Sequence, residues 1–81
     1  MVQNVDVIGL FKTIAGRIET GKNFSNLTAD MEITSVGIDS VSMMEVIGEI
    51  EDELDITISD EKLAHLKTLG DIETVVREQL H

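Results

Sequence analysis

Apolar residues recur at helical spacing in several stretches of this chain, and that periodicity predicts an all-α fold. The first stretch, residues 4–20, carries apolar residues separated by four, three and four positions: Val7, Phe11, Ile14 and Ile18. Residues at these spacings fall on one face of an α-helix. The sequence contains no Pro that would interrupt the helix, so we predict a first helix over residues 4–20, ending near Gly21.

The second stretch, residues 40–54, has the same periodicity and carries only acidic charges. Five apolar residues fall within one stripe at 100° per residue: Met43, Val46, Ile47, Ile50 and Leu54. Asp39 can cap this second helix, or Ser42 can cap it with Glu45 as its capping-box partner. Either cap leaves Ser40 at the start of the helix, in contact with solvent.

Two further patterns predict the remaining helices. Ser59 or Asp60 can cap a short helix that runs through Lys62, Leu63 and Leu66. Thr68 and Asp71 have the spacing of a capping box, which predicts a last helix from about residue 68 to residue 80. The apolar residues of that last helix lie at helical spacing: Ile72, Val75, Val76 and Leu80.

The connection between the first two helices, residues 21–39, is long for a small domain. Apolar residues scattered along it predict that it is pinned to the core: Phe24, Leu27, Met31, Ile33, Val36 and Ile38. We therefore predict a small four-helix bundle with three main helices, one short helix and a long first loop. We expect this bundle to form one domain spanning residues 1–81.

Charge is segregated along the chain as well as unbalanced. The formal net charge is −10, and residues 23–61 hold eleven of the sixteen acids and none of the six basic residues. Such a field repels nucleic acid and anionic lipid, and it steers basic protein surfaces towards the acidic segment. We therefore expect partner proteins with basic docking surfaces and no nucleic-acid binding.

The composition narrows the possible chemistry. Cys is absent, which excludes disulfides, thiolate metal sites and cysteine catalysis. A nucleophilic Ser needs a neighbouring base, usually His, and the chain has only two His residues. We therefore expect no enzyme activity, and we interpret Ser40 as a group that another enzyme modifies. No apolar run approaches the length of a membrane span, so we expect a cytoplasmic protein without membrane insertion. We also expect a monomer.

A second apolar patch lies beside the core stripe of the second helix. It consists of Val41, Met44 and Gly48, and carboxylates flank it: Glu45, Glu51 and Asp52. An exposed apolar patch with an acidic rim suits docking against a partner that has an apolar hollow and a basic rim. Ordinary core packing of Met44 is the alternative.

Three motifs mark the start and the length of the second helix: Gly37-Ile38-Asp39-Ser40-Val41, then Met44-Glu45-Val46, then Glu49-Ile50-Glu51-Asp52-Glu53-Leu54. With the length, the helix order and the long first connection, they make nearly the whole chain resemble an acyl carrier protein. The resemblance implies that Ser40 carries 4′-phosphopantetheine, attached through a phosphodiester by a phosphopantetheinyl transferase.

The same resemblance implies a function and a set of partners. The terminal thiol of the arm holds acyl groups as thioesters, for fatty acid or related acyl-chain biosynthesis, and the partners are acyl-chain synthases and transferases. Seven positions match family contacts with partner enzymes: Asp39, Val41, Met44, Glu45, Gly48, Glu51 and Asp52. Four residues are candidates for lining an acyl-chain site between the helices, and all are equally well explained as core: Val46, Ile50, Ile58 and Leu63.

Several alternatives stay open. Val41 replaces a more frequent Leu, Ser42 stands where fatty-acid carriers often have an acid, and Ser59 stands where Pro is frequent. These departures leave open whether the chain is the housekeeping fatty-acid carrier or a specialised paralogue. A polyketide or aminoacyl carrier is a further alternative, and an unmodified acidic interaction module is another. Ser42 offers a second hydroxyl but lacks the preceding Asp. An EF-hand is rejected because Thr57 stands where its loop needs Gly, so we predict no metal site.

Overall fold

The fold is a bundle of four helices around one apolar core. A computed structural model describes residues 5–80. The helices are α1 (Val7–Ile18), α2 (Ser40–Leu54), α3 (Asp60–Ala64) and α4 (Leu69–Gln79). Helix α1 packs against both α2 and α4. The predicted class, three main helices plus one short helix, is confirmed.

Helix α1 is shorter than the predicted range of residues 4–20, and residue 4 lies outside the described residues. The Asp6 side chain caps the helix by accepting a hydrogen bond from the Gly9 N–H at 3.0 Å. Glu19 ends the helix, and Gly21 follows with a φ of 91°. A positive φ costs Gly little, so Gly21 turns the chain away from α1 as predicted.

Asp39, and not Ser42, caps α2. The Asp39 Oδ1 accepts a hydrogen bond from the Ser42 N–H at 2.8 Å, which satisfies one of the unpaired donors of the first turn. The predicted alternative of a Ser42 cap with Glu45 is therefore wrong, and Ser42 is buried inside the first turn. The predicted core stripe is confirmed: Met43, Val46, Ile47 and Ile50 are buried and Leu54 is half-buried.

The α2–α3 link contains no strand among residues 55–59, although the alternating Ile56 and Ile58 are compatible with one. Asp55 ends α2 in the left-handed conformation with a φ of 55°. Ser59 then caps α3 by accepting from the Lys62 N–H at 3.3 Å. Ile58, between them, is buried in the core.

The predicted capping box of α4 is confirmed. The Thr68 hydroxyl accepts from the Asp71 N–H at 3.2 Å, and the Asp71 carboxylate accepts from the Thr68 N–H at 3.0 Å. The same carboxylate accepts from the Lys67 N–H at 2.9 Å. These backbone donors, Lys67 first and then Thr68, hold the pKa of Asp71 below its ordinary value.

The long connection is pinned to the core by side chains, as predicted. Phe24, Leu27, Val36 and Ile38 are buried, and a short 3₁₀ turn lies at Ile33–Ser35. The sequence gives no hint of a second attachment, a set of backbone hydrogen bonds between the connection and the start of α4. These bonds join the Ile33 N–H to the Lys67 carbonyl (2.8 Å), the Leu69 N–H to Met31 (3.0 Å) and the Gly70 N–H to Ala29 (2.7 Å). We call this set the loop–α4 pairing.

Candidate functional site

Ser40 is the first residue of α2 and its side chain is exposed. Gly37, three residues earlier, has a φ of 92° and turns the chain into the helix. Asp39 fixes the entry geometry through its cap to Ser42. The start of a helix carries partial positive charge, which favours a phosphate group placed near it. The sequence-based expectation of an accessible Ser40 at a helix start agrees with this geometry.

A network of polar contacts surrounds the turn that carries Ser40. The Ser42 hydroxyl donates to Glu19 Oε2 at 2.7 Å. The Lys22 ammonium lies 3.2 Å from Glu19 Oε1 and donates to the Gly37 carbonyl at 2.7 Å. The hydrogen bond from Ser42, followed by the contact with Lys22, holds the pKa of Glu19 below its ordinary value. The end of α1 is therefore tied to the turn on both sides of Ser40.

An apolar hollow of about 240 Å³ opens beside Ser40. Side chains from α2, the 3₁₀ turn and the α3 region line it, including Ile33, Ile38, Met43, Met44, Ile47 and Leu63. A cavity of this size and polarity suits a small apolar group, because ligand sites are mostly apolar with a few polar groups at one end. The residues that line it include no His, so no general base faces Ser40 from the hollow.

The four residues predicted as candidates for lining an acyl-chain site lie in different surroundings. Leu63 contributes to the hollow, whereas Val46, Ile50 and Ile58 do not and are 0%, 0% and 4% exposed in the core. A signal for the observed lining was present in the sequence. Met43, Met44 and Ile47 follow Ser40 by three, four and seven positions, and such spacings place residues along one face of a helix.

Two residues of the predicted apolar patch of α2, Val41 and Met44, are exposed, and Gly48 is half-buried. Val41 is 71% exposed and Met44 is 51% exposed, and these are the large hydrophobic residues that the described chain presents to solvent. Gly48 lies one turn beyond Met44, and a Cβ built on it would have no atom within 4 Å. Met44 reaches both the solvent and the hollow beside Ser40. The patch and the hollow are therefore continuous at Met44.

The acidic residues predicted to flank the patch differ in their surroundings. Glu45 and Asp52 are exposed. Glu51 is half-buried, and its Oε2 accepts a hydrogen bond from the Ile58 N–H at 2.6 Å. Glu51 therefore holds the α2–α3 link in place, a structural role that the sequence does not reveal.

Two further features of residues 5–80 bear on function. No helix in this part of the chain combines the length and apolarity needed to cross a bilayer. Within the same range, no three His, Cys, Asp or Glu side chains come together as a metal site.

Comparison with known proteins identifies the family. The family model described as "Phosphopantetheine attachment site" matches residues 6–76. An acyl carrier protein from Exiguobacterium sibiricum is 36% identical over 61 residues, which are 74% of this chain and 77% of that protein. The chain belongs to the acyl carrier protein family. An acyl carrier protein homolog from Ureaplasma parvum is 36% identical over 69 residues, covering 85% of this chain and 87% of the relative.

The fold of this chain matches that of a solved acyl carrier protein structure. The crystal structure of the acyl carrier protein from Thermotoga maritima matches with a TM-score of 0.83 over 99% of this chain and 92% of that chain, at 24% identity. Acyl carrier proteins are carriers and not enzymes, their cofactor is covalent 4′-phosphopantetheine, and they interact with synthases and transferases. The residues around Ser40 fit that cofactor, because an exposed residue that bears a hydroxyl is among those that line an apolar hollow.

Proposed function

We propose that this chain carries acyl intermediates of fatty acid biosynthesis on 4′-phosphopantetheine attached to Ser40. The observation that supports the proposal best is the exposed Ser40 hydroxyl at the first residue of α2, beside an apolar hollow of about 240 Å³. The competing hydroxyl of Ser42 is 7% exposed and hydrogen-bonded to Glu19. Ser40 is therefore the better acceptor for a separate transferase.

In the proposed attachment, Ser40 Oγ forms a bond to the phosphorus that bears the pantetheine arm of coenzyme A. The bond between that phosphorus and the adenosine 3′,5′-bisphosphate portion breaks, and the hydroxyl proton passes to a base of the transferase. The arm supplies the thiol that this Cys-free chain lacks, so that acyl groups can be held as thioesters. The residues of this chain present the hydroxyl, and they shelter apolar cargo beside it.

We also propose that α2 is the surface that partner enzymes recognise. Val41, Met44 and Gly48 would fill an apolar hollow of the partner, while Glu45 and Asp52 meet its basic rim. Asp39 and Glu51 belong to the same proposal through their positions, although each already makes a structural hydrogen bond within the chain. Association is then fast and weakened by salt, because charge complementarity acts mainly on the association rate.

Intact-mass analysis tests the attachment site. After incubation with coenzyme A and a broad-range phosphopantetheinyl transferase, the wild-type chain should gain one arm. The Ser40→Ala variant should gain none, and the matched Ser42→Ala variant should still gain one. A labelled Ser40→Ala variant would overturn the assignment, and an unlabelled wild-type chain would favour the unmodified interaction module.

Charge neutralisation tests the docking surface. Glu45→Gln and Asp52→Asn should each slow modification at low salt, and the matched variant Glu78→Gln on α4 should not. Equal rates for all three variants would argue against an acidic recognition surface on α2.

The proposal includes the cargo, the location and the state of assembly. Residues 1–81 would form a single carrier domain, monomeric and cytoplasmic, with fatty acyl cargo as suggested by its acyl carrier relatives. Polyketide or aminoacyl cargo is the alternative. Mass analysis of the hydroxylamine-labile group on protein purified from its host distinguishes these cargoes, and size-exclusion chromatography tests the monomer.

A further inference from the structure

The contact between Glu19 and Ser42 joins two residues that are 23 positions apart in the chain. Ser42 is the polar member of the buried set among the described residues, at 7% exposure. Its N–H is bonded to Asp39 and its hydroxyl to Glu19. Ser42 therefore fixes the first turn of α2, which also contains Ser40, against the end of α1.

Lys22 holds the other side of the same turn. Its ammonium donates to the Gly37 carbonyl at 2.7 Å and lies 3.2 Å from Glu19 Oε1. Gly37 has a φ of 92°, a conformation that few other residues adopt without strain. Glu19, at the end of α1, therefore takes part in two sets of contacts. One, through Lys22, reaches Gly37 before Ser40, and the other reaches Ser42 after it.

From this geometry we propose that Glu19, Ser42 and Lys22 are positioning residues for the modification of Ser40. They hold residues 37–42 so that the Ser40 hydroxyl is presented in one orientation, and this inference rests on the proposed function. A group held in the geometry of attack reacts faster than one that must first find that geometry, because the orientational entropy has already been lost. The effect therefore belongs to kcat of the transferase reaction.

Substitutions of residues that position the acceptor and of residues that dock the partner should have different effects on kcat and KM. Loss of docking contacts at Met44 or Glu45 raises KM for the carrier, because it removes binding before reaction. Loss of the Ser42 hydroxyl leaves the exposed surface of α2 intact, because that hydroxyl is buried and faces α1. Ser42→Ala should therefore lower kcat by roughly tenfold and change KM by less than about twofold.

A double-mutant cycle in the full chain supplies the test. The variants Ser42→Ala, Glu19→Ala and the double variant are assayed with coenzyme A and one transferase, and each fold is checked by circular dichroism. We expect the double variant to lose no more of kcat than Glu19→Ala alone, because the Ser42 hydroxyl acts only through its contact with Glu19. Glu19→Gln should recover part of kcat, since its amide oxygen can still accept from Ser42. Glu73→Gln on α4, which loses an ion pair to Arg77, is the matched control and should keep wild-type kcat.

Each outcome decides a specific point. A wild-type kcat for Ser42→Ala, or an equal loss of kcat in Glu73→Gln, would overturn the positioning role. A cycle in which the two losses multiply would also overturn it. If the wild-type chain is not labelled at Ser40 at all, the proposed function fails before this inference is reached, so the two failures are distinguishable.

Discussion

The Gly70 N–H donates to the Ala29 carbonyl oxygen at 2.7 Å, and a Cβ built on Gly70 would lie 3.0 Å from that same oxygen. A side chain at position 70 would therefore push against the acceptor of its own hydrogen bond. This close approach explains why Gly is present in the first turn of α4, where it costs helix propensity.

Gly70→Ala should lower the free energy of unfolding by about 1 kcal/mol, because the added methyl forces the loop–α4 pairing apart. Urea denaturation measures the loss, and amide exchange at Ile33 and Leu69 should quicken in the variant. A variant as stable as the wild-type chain, with unchanged exchange, would contradict the prediction.

Gly48→Ala should act in the opposite direction on stability. A Cβ at Gly48 meets no atom within 4 Å, so Ala should raise the free energy of unfolding by roughly 0.5–1 kcal/mol through helix propensity. If Gly48 belongs to the docking surface, the same variant should be modified more slowly. A variant that is more stable and modified at the normal rate would remove Gly48 from that surface.

Met44 and Ile47 lie one turn apart on α2 and should respond differently to substitution. Met44 is 51% exposed and Ile47 is 3% exposed. Met44→Gln should change the free energy of unfolding by no more than about 0.5 kcal/mol and should raise KM for the transferase. Ile47→Ala should cost about 2–5 kcal/mol through loss of buried methyl groups. Similar denaturation midpoints for the two variants would be inconsistent with the structure.

Salt should stabilise the protein. Residues 23–61 carry eleven acids and no basic residue, so their mutual repulsion is screened as ionic strength rises. We expect the melting temperature to rise by several degrees between about 0.01 M and 0.3 M NaCl, where 1 kcal/mol corresponds to about 4–8 °C for a domain of this size. The double variant Glu49→Gln/Glu53→Gln should show a smaller rise. A melting temperature independent of salt would refute this interpretation of the acidic segment.

Asp71 should make the stability depend on pH in a defined direction. Hydrogen bonds from the Lys67 and Thr68 N–H groups lower its folded pKa below the ordinary 3.8. Its contribution is therefore complete above about pH 4 and is lost as the pH falls through the lower, folded pKa. The difference in unfolding free energy between the wild-type chain and Asp71→Ala should shrink below that pH, as measured by urea titrations.

A matched variant separates the carboxylate from the rest of the capping box. Thr68→Ala removes the acceptor of the Asp71 N–H and should cost about 1 kcal/mol. It leaves both backbone donors to the Asp71 carboxylate in place and removes only the smaller effect of the Thr68 side chain on the pKa of Asp71, so its stability should keep most of the wild-type dependence on pH. A difference between the wild-type chain and Asp71→Ala that stays constant from about pH 2 to pH 6 would contradict the assignment.

Local patterns in the sequence were sufficient to predict the helices and the exposed position of Ser40 at the start of α2. The stripe from Met43 to Leu54 and the capping box of Thr68 depend on residues within a few positions of one another. The exposed position of Ser40 follows from Asp39, which directly precedes it. Such features depend little on how distant segments pack, so they can be predicted from the sequence alone.

Contacts between distant segments were not predictable in the same way. The Glu19–Ser42 hydrogen bond, the loop–α4 pairing and the hollow beside Ser40 arise only after the helices have packed. The neighbours of Ser42 in the sequence are compatible with a capping role. The charge of Glu51 is compatible with a docking role. In both residues a polar atom found a partner inside the fold, since buried polar groups need one.

The loop–α4 pairing divides the connection between α1 and α2 into two segments, each fixed at both ends. The two segments should differ in how well they tolerate a change in length. The segment before Ala29 is exposed at Ser25 and Asn26. Added residues there cost the surface hydrogen bonds that Ser25 makes with Lys12 and Asn23 and a loop-closure entropy that grows slowly with length. The segment after Ile33 must reach Ser40 in a fixed number of residues. Insertions and deletions should therefore be tolerated near Ser25 and rejected between Ile33 and Ser40, which confines length variation to the segment of the loop before Ala29.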